Sequence, residues 1–298
     1  MSSLPVASRI DLHTHSTASD GLLAPSELVR QARGAGLDLI ALTDHDSTDG
    51  VAEAAEAGAT LGVRVIPGVE CNTTLPEHRG EAHVLGYYVD VADAHFQENL
   101  RFIRQARVRR AEQIVERLRA QGFDVTWERV RELARGTVGR PHIALALMER
   151  GYASSIADAF DRYISSGRPA YVPRYKLLPQ DAVRLIRAAA GVPVLAHPGG
   201  ILELAEQVLP DLTQVGLLGL ECYYGDYDEA TVSRLVETAG RFSLIATGGS
   251  DYHGPNVHPT PLGGRYVPPE AAGRLFEAAE ELRRAPRVPF VLSPPAQQ

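Results

Sequence analysis

Residues 9–21 read RIDLHTHSTASDG. The first five of them, Arg9–His13, form a short, partly β-branched run, which predicts a β-strand. His13 and His15 lie two positions apart at its end, and in an extended segment such residues leave the same side of the chain. This arrangement suits two imidazoles that hold one metal ion. Asp20 follows five residues later and adds a carboxylate.

Similar strand patterns recur along the chain, at Leu39–Thr43, Arg64–Glu70, Ala82–Val89, Pro193–His197, Leu217–Cys222 and Leu244–Gly249. Helical patterns lie between most of them, at Pro25–Ala35, Gly50–Leu61, Pro179–Ala190, Leu202–Leu212 and Asp228–Gly240. Alternation of strands and helices predicts an α/β fold with a parallel sheet and helices outside it. Seven strands fit a (β/α)7 barrel better than an open sheet.

A helical stretch interrupts this rhythm at residues 95–167, where no strand is predicted. We therefore predict a barrel from residues 1–94 and 168–298, with 95–167 as a helical insertion domain. Its helices are expected at Gln97–Ala120, Trp127–Ala134, Pro141–Arg150 and Ser155–Ser165. Seven arginines lie between Arg101 and Arg119. They form either a solvated helix face paired with Glu112 and Glu116 or a surface that contacts substrate.

Composition narrows the class of protein. The chain has 298 residues, 44% hydrophobic and 22% charged, which excludes a mostly disordered or fibrous protein. No apolar run approaches the roughly 18 residues of a membrane helix, and no secretory signal precedes the first strand, so a cytoplasmic location is expected. The net charge of −7 argues against a stable complex with long nucleic acid. Cys71 and Cys222 are expected to be buried residues without a chemical role.

Polar side chains capable of binding metal lie at or near the predicted strand ends. They are His13, His15, Asp20, His45, Glu70, His83, His197, Asp251 and His253. The ends of parallel barrel strands meet at one face, where active sites lie. Imidazoles and carboxylates without thiolates suit Mn²⁺, Fe²⁺ or Zn²⁺. Nine ligands exceed the needs of one ion, so two or three ions are expected, with Glu70 as a bridge, and closely spaced ions serve hydrolysis.

Six motifs resemble those of the PHP (polymerase and histidinol phosphatase) phosphoesterases. They are DLHTHSTASDG, LTDHDSTDG, IPGVE, AHVLGY, VLAHPG and GSDYHG. The resemblance implies a distorted seven-stranded βα barrel with three divalent ions, Mn²⁺ being the expected metal. It implies a first ion on His13, His15, Glu70 and Asp251, a second on Glu70, His83 and His197, and a third on Asp20, His45 and His253. Glu70, Asp20 and His253 are the predicted catalytic residues.

Two motifs in and after the insertion, TVGRPHIA and RPAYVP, resemble one branch of this family. That branch contains nucleoside 3′,5′-bisphosphate phosphatases and a 5′-to-3′ exoribonuclease. The resemblance implies a cap over the metal face, and we predict substrate contacts from Arg140, His142, Arg168 and Lys176. Arginine suits a second phosphate because its planar guanidinium binds phosphate oxygens bidentately. Arg140 could equally be a solvated residue at a helix start.

The sequence thus favours a phosphatase that releases phosphate from a small nucleotide, above all a nucleoside 3′,5′-bisphosphate, through a metal-bridged hydroxide. A 5′-to-3′ exoribonuclease acting on short 5′-phosphorylated RNA is the alternative, and histidinol phosphate phosphatase is a third. Amidohydrolases, a further alternative, often bridge two metals with a modified lysine, and Lys176, the only lysine, lies outside any predicted strand end. A non-catalytic nucleotide-binding barrel is the last alternative. The expected partner is a small phosphorylated nucleotide or short RNA, without a membrane, and the oligomeric state is not predicted.

Overall fold

The computed structural model describes residues 9–75, 80–134, 138–173, 175 and 177–292. Seven strands lie in the part it describes: β1 (Ile10–Thr14), β2 (Leu39–Leu42), β3 (Arg64–Thr74), β4 (Glu81–Tyr87), β5 (Val192–Ala196), β6 (Gly219–Tyr224) and β7 (Ile245–Gly249). All seven match predicted strands. The largest difference is that β3 continues to Thr74, past the predicted end at Glu70.

The strands form one sheet in the order β1-β2-β3-β4-β5-β6-β7. The expectation of a wholly parallel sheet is wrong, because β4 runs antiparallel to both β3 and β5. The reason is the short connection from Leu75 to Gly80, since a parallel pair needs a crossover of a dozen or more residues. The reversal places His83 near the start of its strand, opposite Asn72 on β3 and Ala196 on β5.

The sheet curls until its first and last strands nearly meet. Thr14 pairs with Tyr252 just beyond β7, and the His15 amide donates a hydrogen bond of 2.9 Å to the Tyr252 carbonyl. Gly249 makes this approach possible, since a Cβ there would lie 2.4 Å from the His13 nitrogen. The chain therefore forms the nearly closed, seven-stranded α/β barrel that the sequence predicts, apart from the reversed strand.

Six α-helices among the described residues surround the strands of the barrel. They are α1 (Pro25–Gly34), α2 (Val51–Leu61), α7 (Pro179–Ala188), α8 (Leu202–Gln214), α9 (Glu229–Arg241) and α10 (Glu270–Arg284), with a short 3₁₀ helix at Pro198–Ile201 before α8. Apolar residues of the strands fill one core with α10, including Leu39, Leu85 and Val194. A second core joins α1 and α2 to β2 through Leu28, Ile40 and Leu42. Burial of these side chains from water holds the helices against the strands.

The described residues divide into two compact units, one of residues 9–99 and 177–292, the other of residues 100–175. The second unit holds most of α3 (Ala94–Ala120), then α4 (Trp127–Ala134), α5 (Arg140–Glu149), α6 (Ile156–Ala159) and a π-helical turn at Phe160–Ile164. Its core contains the apolar residues Ala111, Ile114, Val115 and Leu118 of α3. Ala170 and Val172 also pack there, which is why this unit extends beyond the predicted boundary at residue 167.

Among the described residues, no helix is both long and apolar enough to cross a bilayer. The two cysteines are buried free thiols, as predicted.

Candidate metal centre

The barrel brings together all nine side chains that the sequence proposes as metal ligands. His13 lies within β1, Glu70 within β3 and His83 within β4, while the other six follow the ends of β1, β2, β5 and β7. A backbone bridge between His45 and Glu70 extends the pairing of β2 with β3 as far as this cluster. The curvature of one sheet thus gathers residues separated by up to 240 positions in sequence.

Glu70 lies at the centre of the cluster, with its side chain 1% exposed. Its two oxygens face five imidazoles. Oε1 lies 2.8 Å from His83 Nδ1 and 3.0 Å from His197 Nε2. Oε2 lies 3.1 Å from His45 Nδ1 and 3.3 Å from Nε2 of both His13 and His15. A carboxylate placed between two sets of imidazoles can bridge two cations.

Two further carboxylates lie on either side of the imidazoles. Asp251 Oδ1 is 3.1 Å from His15 Nε2 and 3.3 Å from His13 Nε2. Asp20 Oδ1 lies 3.3 Å from His253 Nε2, and its side chain is 54% exposed. Asp251 therefore closes the buried side of the cluster, whereas Asp20 lies at its open side.

Several donor atoms of the cluster have no hydrogen-bond partner in the protein, and divalent cations would satisfy them. Nδ1 and Nε2 of His15 and Oδ1 of Asp251 are buried without a hydrogen-bond partner, because the 3.1 Å approach between them lacks hydrogen-bonding geometry. Buried polar atoms without partners are costly, and a cation would satisfy the two that face each other. Three overlapping sets of donors have atoms within 4.8 Å: His15, Asp20, His45 and His253; His13, His15, Glu70 and Asp251; His45, Glu70 and His83.

The charges inside the cluster shift its pKa values in opposite directions. Burial would lower the pKa of His15, but the neighbouring carboxylates of Asp251 and Glu70 raise it to about 10. Burial dominates at His45 and lowers its pKa to about 4. Burial alone would raise the pKa of Glu70, yet the imidazoles, His45 foremost, hold it well below its usual range. Without cations, protons on some imidazoles balance the carboxylates, and a cation would displace them.

Glu221 is a supporting residue that sequence reasoning missed. This fully buried carboxylate of β6 lies with Oε1 2.9 Å from His13 Nδ1, and its Oε2 accepts a 2.7 Å hydrogen bond from the His197 amide. A carboxylate only accepts hydrogen bonds, so Nδ1 of His13 carries a proton, and in the neutral ring the Nε2 lone pair would face the cluster. The available signal was a glutamate inside the apolar run Leu217–Cys222.

Two buried aspartates anchor the loops that carry Asp20 and Asp251. Asp44 accepts hydrogen bonds from the backbone and hydroxyl of Ser16 and from the Ser19 hydroxyl, at 2.6–2.8 Å. Asp11 accepts hydrogen bonds from the Ser250 amide at 2.9 Å and its hydroxyl at 2.6 Å. Asp251 itself has a positive φ of 54°, a backbone strain that such anchoring can hold.

His258 also lies beside the centre, although it is not among the nine predicted ligands. Its ring centroid is 4.9 Å from that of His253, and it forms a further possible ligand set with Asp251 and His253. His258 follows His253 by five positions in a loop, and this spacing does not predict that the two rings lie together.

The predicted substrate contacts Arg140, His142 and Arg168 lie in the second unit. The Arg140 guanidinium lies 5.0 Å from the centre of the Phe160 ring, and Arg168 pairs with Asp161 at 2.7 Å. His142 accepts a hydrogen bond from the Gly139 amide at the start of α5, and burial lowers its pKa. Lys176 lies outside the described residues. Each of the three described residues thus has a local partner.

The fold and its cluster of histidines and carboxylates define a metal-dependent phosphoesterase, and the comparisons agree. The PHP domain family matches residues 11–172, and the chain belongs to this family.

Two relatives match most of the chain. A 3′,5′-nucleoside bisphosphate phosphatase of Chromobacterium violaceum is 35% identical over 83% of this chain and 87% of its own length. A 5′-3′ exoribonuclease of Salmonella typhimurium is 34% identical over 82% of this chain and 85% of its own. A solved structure from Bifidobacterium adolescentis, provisionally named a metal-dependent phosphoesterase, has a TM-score of 0.76 and 33% identity, covering 92% of this chain and 98% of its own.

Proposed function

We propose that this PHP phosphoesterase hydrolyses a phosphate monoester of a small nucleotide, namely a nucleoside 3′,5′-bisphosphate. The observation that carries the proposal is the cluster of nine histidine and carboxylate side chains centred on Glu70, together with the similarity to the bisphosphate phosphatase over most of both chains. We assign the nine residues to three divalent ions, Mn²⁺ in the cell.

The ligand assignment follows the family resemblance, and its first set is also one of the three clusters of donor atoms. His13, His15, Glu70 and Asp251 would hold the first ion. Glu70, His83 and His197 would hold the second, since both imidazoles approach Oε1 of Glu70. Asp20, His45 and His253 would hold the third. When bound, such ions activate water near neutral pH and offset negative charge on phosphoryl oxygens.

The protein's own groups orient the site for this chemistry. Glu70 holds five imidazoles from four strand segments around one point. The Tyr224 hydroxyl donates a 2.8 Å hydrogen bond to Asp251 Oδ2, which leaves Oδ1 toward His13 and His15. The exposed Asp20 marks the side from which a substrate phosphate can approach. Side chains that are fixed before the substrate binds lose little conformational freedom during the reaction. Such preorganisation favours the transition state.

A second phosphate would distinguish the substrate. Arg168 keeps N–H donors beyond its pair with the exposed Asp161, and a surface pair of this kind is weak enough to exchange for a phosphate. We assign Arg140, Arg168 and His142 to this second phosphate. Short 5′-phosphorylated RNA is the second candidate, because the exoribonuclease matches as much of the chain as the phosphatase does.

A substrate screen tests the proposal. Phosphate release is measured with added Mn²⁺ on nucleoside 3′,5′-bisphosphates, mononucleotides and 5′-phosphorylated oligoribonucleotides. We expect the highest kcat/KM on the bisphosphate. Glu70→Gln should abolish it, whereas Glu206→Gln, a surface glutamate paired with Arg241, should not. Preference for the oligoribonucleotide would assign the exoribonuclease activity instead, and preference for mononucleotides would contradict both candidates.

A further inference from the structure

His258 connects the metal centre to a cavity that the proposed chemistry does not use. Its imidazole lies against His253, and one of its nitrogens lies within 4.8 Å of possible ligand atoms of Asp251 and His253. The same residue lines a cavity of about 730 Å³ between α1 and the loop of residues 254–262. The cavity therefore begins at the edge of the metal centre, within the first unit.

The lining of this cavity combines apolar surface with side-chain amides. Tyr252, Val257 and Leu262 supply aromatic and aliphatic atoms, and Gln31 and Asn256 supply the amides. Val257 is 47% exposed, so its aliphatic surface is accessible to a ligand. The Tyr252 hydroxyl donates a 2.8 Å hydrogen bond to Gln31 Oε1, so the donor end of this amide points away from that bond.

This chemistry matches a heteroaromatic ring rather than another phosphate. Ligand cavities pair an apolar lining with a few polar groups that fix orientation. Side-chain amides of Asn and Gln pair with the donor and acceptor edges of nucleobases. No lysine or arginine lines the cavity in the described part of the chain, which disfavours an anion.

We propose that this cavity binds the base of the nucleotide whose phosphate lies at the metal centre, with His258 at the junction between the two. This inference rests on the proposed function and adds a base subsite to it.

The test compares substrates that differ only in the base. Kinetic constants are measured on adenosine 3′,5′-bisphosphate and on the abasic tetrahydrofuran 3′,5′-bisphosphate. The variant Val257→Trp fills the cavity without adding charge, and Val288→Trp, at a valine 78% exposed elsewhere, is its matched control. Asn256→Gly removes an amide at a positive φ of 63° that glycine adopts readily.

We expect the wild type to prefer the nucleotide over the abasic substrate by about tenfold or more, the range of discrimination by a small apolar pocket. Val257→Trp should remove most of this preference, Asn256→Gly part of it, and Val288→Trp none. A wild type without preference, or variants that slow both substrates equally, would overturn the base subsite while leaving the proposed function intact.

Absence of phosphate release from both substrates would instead contradict the proposed function. Equilibrium binding of adenosine to the chelated protein, measured in parallel, keeps the cavity testable in that case. Binding that Val257→Trp weakens would support the cavity as a base site, and absence of binding would overturn it.

Discussion

At the scale of single residues, Glu70 and Asp20 differ in burial and in their number of contacts. Glu70 is buried and faces five imidazoles, whereas Asp20 is half exposed and lies nearest to one, His253. Removal of Glu70 would leave mutually repelling imidazoles and ions without their shared ligand. Removal of Asp20 affects one edge of the cluster.

We expect Glu70→Ala to lose more than one ion per chain and all measurable turnover. Asp20→Ala should lose one ion and keep a rate reduced by about 10²-fold, similar to the loss of one transition-state contact. Elemental analysis of the purified variants and steady-state kinetics check both values. Indistinguishable metal contents and rates would show that the two carboxylates do not have separate roles.

Glu221 offers a second test at this scale, because both of its oxygens accept hydrogen bonds. Glu221→Gln retains one acceptor and introduces an N–H₂ group, so either His13 or the His197 amide faces a donor. If the new amide donates to His13 Nδ1, the ring proton moves to Nε2 and blocks ligation. We expect a 10- to 100-fold loss of metal affinity, the range for such supporting groups.

Metal titration followed by calorimetry measures this loss, and the ¹⁵N shifts of His13 report its tautomer. Glu206→Gln serves as the matched surface control. Unchanged tautomer and affinity in Glu221→Gln would contradict the role of Glu221 in positioning His13.

At the scale of elements, the reversed strand β4 shows where sequence patterns stop. The polar strand ends were predictable because short motifs such as His13-Thr-His15 and Asp251-Tyr-His253 mark them in the sequence. The direction of β4 was not predictable, since an apolar run predicts a strand but not whether it is parallel or antiparallel to its neighbours. The short link after Leu75 did contain the information, because a parallel partner requires a crossover. His83 still reaches Glu70, from the start of its strand instead of its end.

The helical unit supplies the prediction that concerns substrate choice. We expect Arg140→Ala and Arg168→Ala to lower kcat/KM on the bisphosphate. The loss should correspond to roughly 1.5–3 kcal/mol of transition-state stabilisation, as for a lost charged hydrogen bond. The loss should largely vanish on a mononucleotide, which has no second phosphate for them to bind. Arg184→Ala, at an arginine paired with Asp181 on α7, is the control. Equal losses on both substrates would mean that these arginines stabilise their own unit, through Phe160 and Asp161.

At the scale of the whole molecule, the sequence predicted the barrel and the nine clustered residues but not the groups that hold them. Glu221 and Asp11 are buried polar residues within or beside strands, and only the curvature of the sheet shows what they bond. The position of His258 was also unpredictable, because it lies in a loop whose conformation the sequence pattern does not define. Sequence motifs thus identify residues that would contact a ligand directly. Residues that position those ligand-binding residues are identified only from the folded structure.

The cluster also links metal binding to pH and to the stability of the entire fold. Without cations His15 has a pKa of about 10 and is protonated at neutral pH. Its pairing with the carboxylates stabilises the metal-free fold below the unfolded pKa of about 6.5 and is lost as pH rises toward 10. Cations require the neutral imidazole, so their binding weakens as pH falls. The low pKa values of Glu70 and Asp251 influence stability only below about pH 4, outside this range.

We therefore expect the difference in Tm between Mn²⁺-loaded and chelated protein to shrink as pH falls from 8 to 6. Loaded protein should be more stable because ions bind the folded chain, by about 2.7 kcal/mol at a hundredfold excess over Kd. Calorimetric titration at pH 7 in buffers of different ionisation enthalpy should detect at least one proton released per chain, as His15 requires. His45, with its pKa of about 4, releases none at that pH. A Tm difference that stays constant across this pH range, with no proton release, would contradict cation binding through His15, because a neutral ligand has no proton to lose.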